Sequence, residues 1–165
     1  MGYERRMLSR LNYCISLPTH NSFLTHFIQL SAVNFNSPSI MENLTRLYAE
    51  LGLMNYEIST KYYPSMLAAA AVYVARATLL FEAASHDLWP HESLEMHTGY
   101  TELQVMDCAK MMVAYRLIVN KYATKLRIIL DKYKCETRDA VERYPAPAFL
   151  LDRPSSTHSQ GDQIC

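Results

Sequence analysis

Apolar residues recur along this chain at intervals of three and four positions, and hardly any stretch alternates apolar with polar residues. Spacing of this kind places apolar side chains on one face of an α-helix. The pattern therefore predicts an all-α protein. The predicted helices cover residues 2–12, 19–32, 39–52, 64–81 and 101–119, with a short helix after Pro90 and another within 124–133.

Two of the predicted helices begin with a capping box, in which a serine or threonine is followed three residues later by a glutamate or glutamine. Ser39 and Glu42 form one such pair, and Thr101 and Gln104 form the other. Pro64 also favours a helix start, because its missing N–H would have no partner in the first turn. These signals predict where three of the helices begin.

The segment YPSMLAAAAVYVAR at 63–76 is apolar almost all round, and Arg76 is its one charged residue. A helix of that kind is normally buried on several sides. Small alanine side chains also let neighbouring helices approach its backbone closely. We therefore predict a central helix whose core positions are Leu67, Ala68, Ala69, Ala70, Ala71 and Val74.

The first predicted helix carries one carboxylate, Glu4, in the middle of an apolar face formed by Tyr3, Met7, Leu8 and Leu11. A carboxylate in apolar surroundings is costly unless it is paired. Two interpretations follow from this position. Either this face of the helix is open to water, or Glu4 contacts a partner.

The length, hydrophobic content and charge balance of the chain limit the kinds of protein it can be. With 165 residues, half of them hydrophobic, the chain has enough apolar material for one main domain. Sixteen basic residues balance sixteen acidic ones, which argues against nucleic acid or an anionic membrane as the chief partner. The most apolar run, 67–81, contains Arg76 and is too short to span a bilayer.

The residues that could carry chemistry do not form a familiar catalytic or metal-binding pattern. His20 and His26 are six positions apart, as are His91 and His97, a spacing that places neither pair on one helix face. Cys108 lacks a nearby His-Asp set that would mark it as a nucleophile. We therefore expect no enzyme activity, no bound metal and no cofactor. The four scattered cysteines predict free thiols in a reducing compartment.

Five motifs along the chain occur in a recognisable order. They are RRMLSRLNYCISLPTHNSFLTHF (5–27), LYAELGLMNYE (47–57), YYPSMLAAAAVYVAR (62–76), WPHESLEMHTGYTELQVMDC (89–108) and DKYKCETRDAVERYPAP (131–147). Together they resemble mitotic, A/B-type cyclins, in which such motifs follow the same order. The resemblance implies a five-helix cyclin box in which the alanine-rich helix is the central third helix.

The same resemblance implies three parts of the chain. Residues 1–17 correspond to the last helix of an N-terminal cyclin box and a linker, residues 18–143 to the C-terminal cyclin box, and residues 144–165 to a loose, flexible tail. The remainder of the N-terminal box has no counterpart in this sequence. We expect either a truncated product or a chain that has lost the usual mode of kinase activation.

As a function, the resemblance implies a regulatory subunit of a cyclin-dependent serine/threonine kinase, located in the nucleus and cytoplasm. The expected partner is the kinase catalytic subunit, bound as a weak heterodimer. In the family a Lys-Glu pair contacts the kinase, and only the glutamate has a counterpart here, Glu4. The alternative is a helical adaptor that binds other proteins and does not activate a kinase.

Overall fold

The computed structural model describes residues 2–32, 37–80, 88–122 and 127–153, and within these ranges the regular secondary structure consists of helices without any strand. The α-helices are α1 (Gly2–Arg10), α2 (His20–Ala32), α3 (Pro38–Met54), α4 (Tyr56–Lys61), α5 (Pro64–Leu79), α6 (Met96–Thr98), α7 (Glu102–Tyr122) and α8 (Ile128–Lys132). A π-helical turn, His91–Glu95, leads into α6, and three short 3-10 turns follow α8 at Glu136–Arg138, Val141–Arg143 and Ala148–Asp152. The all-α class predicted from the periodicity is confirmed.

The alanine-rich helix α5 lies at the centre and packs against α2, α3 and α7. Its residues from Leu67 to Thr78 are all buried, including the six residues predicted as core positions. Ala68 to Ala71 are completely shielded from solvent. Because alanine adds only one carbon beyond the backbone, three neighbouring helices can contact α5 at once. This arrangement confirms the central small-residue helix.

Helix α3, predicted to end near Gly52, continues two residues further, to Met54. Gly52 is buried inside the helix, and a Cβ added there would lie 2.7 Å from the Cε atom of Met112 on α7. The glycine therefore leaves room for the end of the Met112 side chain. Its helix-weakening effect is offset by the tertiary packing.

One of the two predicted capping boxes is present in the structure, and the other is not. At α7 the Thr101 Oγ1 atom accepts from the Gln104 N–H at 3.4 Å, and the Gln104 side chain accepts from the Thr101 N–H at 3.0 Å. The box predicted at Ser39 and Glu42 is wrong, because α3 begins earlier, with Ser37 as its N-cap. Glu42 instead pairs with Arg46 one turn further along the helix, at 2.8 Å.

Helix α4 was not expected from the pattern of apolar residues, because it is short and mostly polar. Its N-cap is Asn55, whose side-chain oxygen accepts from the Ile58 N–H at 3.1 Å. Ile58 is its one buried residue, which fixes the helix against the body. The local capping contact and a single apolar anchor are enough to form this turn.

The C-terminal part also differs from expectation. Residues 144–153 were predicted to be loose, but Leu150 is completely buried, and Ala146 and Phe149 pack against the core. The turn Ala148–Asp152 lies against α7. We call residues 144–153 the C-terminal strap. The rest of the expected tail, 154–165, lies outside the described residues.

Within the described part of the chain, none of the helices has the length and apolar character needed to cross a membrane.

Candidate partner-binding surface

Helix α1 presents large apolar side chains to solvent and has no buried residue. The exposed fractions are 83% for Tyr3, 68% for Met7 and 55% for Leu11. Because these residues are four positions apart, they form one continuous row on the helix. The segment that follows continues this exposure through Tyr13, Ile15 and Leu17. We call these six residues the apolar strip.

A contiguous exposed apolar surface of this kind is typical of a protein interaction site. Isolated exposed leucines are common in soluble proteins, whereas here three large apolar residues follow one another at i, i+4 spacing and three more are exposed in the next segment. The strip is therefore the strongest candidate surface for partner binding on the described part of the chain.

Glu4 lies on this exposed helix, in its first turn. The residue is itself exposed, so its carboxylate remains hydrated and carries no burial cost. Its position near the helix N-terminus favours a negative charge through the helix dipole. The structure thus agrees with the interpretation that this face is open to water, and the contact between Glu4 and a kinase stays a prediction.

The end of α1 is fixed by a turn in which Asn12 and Tyr13 both have positive φ, 49° and 56°. The Tyr13 N–H donates to the Leu8 carbonyl oxygen at 2.8 Å, and the Asn12 N–H donates to Ser9 at 3.1 Å. These contacts satisfy carbonyls that the last helical turn would leave free. The two positive φ values turn the chain as it leaves α1, and this left-handed conformation is unusual for a tyrosine.

The predicted core residues and Glu4 do not form one site. Leu67, Ala70 and Val74 are buried within α5 and cannot contact a partner, whereas Glu4 faces solvent. The role of the core residues is to assemble the helical body. Any contact with a partner falls to exposed residues such as Glu4 and the apolar strip.

Sequence reasoning missed a buried cation at the centre of the body, Arg116 on α7. It is 1% exposed and donates to the hydroxyl oxygen of Tyr48 and to the carbonyl oxygens of Glu142 and Tyr144. These bonds join α7 to α3 and to the start of the C-terminal strap. The signal for it was present, because Arg116 follows Met112 and Val113 by four and three positions on the apolar face of α7.

A second missed contact holds the far end of the strap. The Arg153 Nη1 atom donates to Glu102 Oε1 at 2.8 Å and to the Tyr73 hydroxyl at 2.9 Å. The Tyr73 hydroxyl also donates to Glu102 Oε1, at 2.7 Å. Burial, followed by the Glu102 carboxylate, raises the pKa of Tyr73, so the phenol remains a donor. The C-terminal strap is thus fastened at both ends by an arginine.

The histidines and cysteines considered for metal binding or catalysis do not cluster together, and Cys108 is shielded from solvent. In the portion that the structure describes, no three His, Cys, Asp or Glu side chains lie close enough together to hold a metal ion. Cys108 is buried, and its burial raises the pKa of the thiol to about 12, which keeps the sulfur neutral. Burial also lowers the pKa of His20, despite the nearby Glu50 carboxylate.

Comparison with known proteins agrees with this helical arrangement. Residues 18–147 match the family described as the cyclin C-terminal domain. The chain is 35% identical over 159 residues to G2/mitotic-specific cyclin S13-7 of Glycine max, which covers 96% of this chain and 57% of that protein. It is 37% identical over 161 residues to G2/mitotic-specific cyclin S13-6 of the same plant, covering 94% of this chain and 32% of that protein.

A third relative, matched over a shorter stretch, is also a cyclin. Cyclin-B1-1 of Arabidopsis thaliana is 40% identical over 109 residues, which cover 66% of this chain and 23% of that protein. This chain therefore spans from about a quarter to somewhat over half the length of these relatives. The resemblance drawn from the five motifs is confirmed by these matches. The matched region contains the central helix α5 and all of the helices that pack on it, so the chain belongs to the cyclin family.

Proposed function

We propose that this chain is a regulatory subunit of a cyclin-dependent serine/threonine kinase in cell-cycle control. The observation that carries the proposal is the exposed row of apolar residues on α1, with Glu4 beside it, on a body that belongs to the cyclin family. The names of its relatives, G2/mitotic-specific cyclins, support a role in mitosis.

In the proposed mechanism the chain binds the kinase catalytic subunit and performs no chemistry itself. A regulatory subunit acts by binding one arrangement of the kinase more tightly than the other, which shifts the population towards the active state. The apolar strip supplies buried area on binding, and Glu4 supplies a charge that fixes the orientation of the two proteins.

The proposed complex is a weak heterodimer. A single nine-residue helix offers a narrow surface compared with the ~800 Å² that each partner buries in a standard stable interface. We further propose that the protein works without a cofactor and is located in the nucleus and the cytoplasm, where kinases of this class and reduced cysteines are both found.

The test is a calorimetric titration of the purified 165-residue chain with a mitotic cyclin-dependent kinase, with histone phosphorylation measured alongside. We expect weak binding and little stimulation. Glu4→Ala should remove most of the binding, whereas Glu57→Ala should not, because Glu57 is an equally exposed glutamate on α4. Binding that is insensitive to Glu4→Ala would move the contact to another surface.

The second candidate is a helical adaptor that binds other proteins without activating a kinase. The observation in its favour is that the apolar strip can serve any partner with a complementary apolar surface. The titration with the kinase and the phosphorylation assay distinguish the two candidate functions. An adaptor would show no binding to the kinase and no stimulation, whereas a regulatory subunit would show both, even if weakly.

A further inference from the structure

The C-terminal strap forms one wall of an open pocket at the end of α5. The pocket has a volume of about 400 Å³. It is lined by Thr78 of α5 and by residues 145–149, including Ala148, and Asp152 of the strap. Pockets that hold small ligands range from about 300 to 1,000 Å³, so this one has room for a short peptide segment with one or two side chains.

The walls of this pocket are largely apolar. The Thr78 hydroxyl donates to the Val74 carbonyl oxygen at 2.8 Å, so its remaining contribution to the pocket is chiefly its methyl group. The other wall consists of proline rings, alanine methyl groups and the ring of Phe149. Such a surface favours an apolar group, because moving apolar surface out of water is favourable.

The pocket is also held in shape before any ligand arrives. Arg116 binds the carbonyl oxygen of Tyr144 at one end of the strap, and Arg153 binds Glu102 at the other. Leu150 anchors the middle of the strap in the core. A preformed wall reduces the ordering cost that a ligand would otherwise meet on binding.

Among the residues that line the pocket, Asp152 is the one that carries a charge. Asp152 is an exposed lining residue, and its carboxylate forms no ion pair with another described residue. The neighbouring Arg153 guanidinium is already bound to the Glu102 carboxylate, and Lys110 donates to the Arg153 carbonyl oxygen. The edge therefore offers a negative charge to a cation beside the apolar group.

We propose that this pocket binds a short peptide segment of a partner protein in which an apolar side chain lies next to a lysine or arginine. The apolar side chain occupies the space between Thr78 and Phe149, and the cation lies beside Asp152. This site is on a different part of the chain from α1, and it is independent of the proposed contact with a kinase.

The test uses the whole chain with ¹³C-labelled alanine methyl groups, followed by nuclear magnetic resonance. The probes are the capped peptides acetyl-Leu-Leu-Lys-amide and acetyl-Leu-Leu-Glu-amide. We expect the lysine peptide to shift the methyl signals of Ala146 and Ala148 in a saturable way. The glutamate peptide should bind about three-fold more weakly, since an exposed charge pair contributes little more than that.

Two variants separate the apolar and charged parts of the site. Asp152→Asn should abolish the difference between the two peptides, whereas Glu92→Gln, at an exposed glutamate outside the pocket, should preserve it. Ala148→Leu should fill the pocket and abolish both interactions, and because Ala148 is exposed the fold should withstand it, as a thermal melt would check. Equal binding of the two peptides by the unmodified chain, or signals that move only outside the strap, would overturn the proposal.

Discussion

Arg116 on α7 donates a hydrogen bond to the hydroxyl of Tyr48 on α3, and both side chains are completely or almost completely buried. The guanidinium carbon lies 5.0 Å from the centre of the Tyr48 ring, so the cation also contacts the ring itself. Burial raises the pKa of Tyr48 although the Arg116 charge acts in the opposite direction. The phenol is therefore neutral, and the arginine is held by neutral oxygen atoms rather than by a carboxylate.

Replacement of this cation should destabilise the fold strongly. In Arg116→Met the Tyr48 hydroxyl and the carbonyl oxygens of Glu142 and Tyr144 lose their donor, and we expect a loss of about 2–4 kcal/mol in the free energy of unfolding. Tyr48→Phe removes only one of these bonds, but it leaves a buried cationic N–H without its acceptor and should cost about 1.5–3 kcal/mol. Chemical denaturation would measure both, and an Arg116→Met protein as stable as the unmodified chain would contradict this role.

The small side chains of α5 should be needed for close packing. Ala70→Leu adds three carbons at a position with no exposed surface, and overpacking there should destabilise the protein by about 1–3 kcal/mol. Ala114→Leu on α7 is a control at a half-buried position, where the larger side chain can turn towards solvent. Thermal melts of the two variants should show a lower melting temperature for Ala70→Leu than for Ala114→Leu. Equal melting temperatures would show that the neighbouring helices do not need a small residue at position 70.

The C-terminal strap should contribute to stability although it contains little regular structure. Leu150 is completely buried, and Leu150→Ala should cost about 2–5 kcal/mol, as is usual for a leucine deleted from a core. The adjacent Leu151 is 38% exposed, so Leu151→Ala should have a much smaller effect. Urea unfolding of the two variants makes the comparison. A Leu150→Ala protein that unfolds at the same urea concentration as Leu151→Ala would mean that the strap packs loosely in solution.

The cysteines should react at very different rates in the folded protein. The Thr137 hydroxyl donates to the Cys135 sulfur at 3.2 Å, which lowers the pKa of this exposed thiol and favours the reactive thiolate. Cys108 is buried, with its pKa raised to about 12, and should stay unmodified until the chain unfolds. Iodoacetamide labelling followed by mass spectrometry would measure these rates.

A variant isolates the effect of the threonine. Thr137→Val removes the donor and should slow the labelling of Cys135, while the exposed Cys14 in the segment after α1 should react as before. If Cys108 were labelled as fast as Cys135 in the native protein, the helical body would have to open far more often than its packing suggests.

Local signals in the sequence were sufficient for much of the fold. The apolar row of α2, the Thr101 and Gln104 capping box and Pro64 at the start of α5 involve residues a few positions apart, and each was found where it was expected. Helix α4 was not predicted, because its N-cap residue, Asn55, precedes a polar segment with a single buried apolar residue. The place of Ser37 as the N-cap of α3 was missed because Ser39 offered a better match to the usual pattern.

The candidate site was predictable only in part. The sequence indicated Glu4 on an apolar helix face, but it left open whether that face was covered. The structure shows the face exposed, with Tyr3 and Met7 in solvent. Exposure depends on what the rest of the described chain packs against, and periodicity within one helix carries no information about that.

The sequence by itself determined the helical class, the central position of the alanine-rich helix and membership of the cyclin family, because these depend on local spacing and on motifs in a fixed order. Only the tertiary structure decided that residues 144–153 belong to the packed body. Arg116 reaches Tyr48 across 68 positions, and Arg153 reaches Tyr73 across 80. Contacts at such separations form only after the helices have packed, since their energy depends on burial and geometry that no local pattern records.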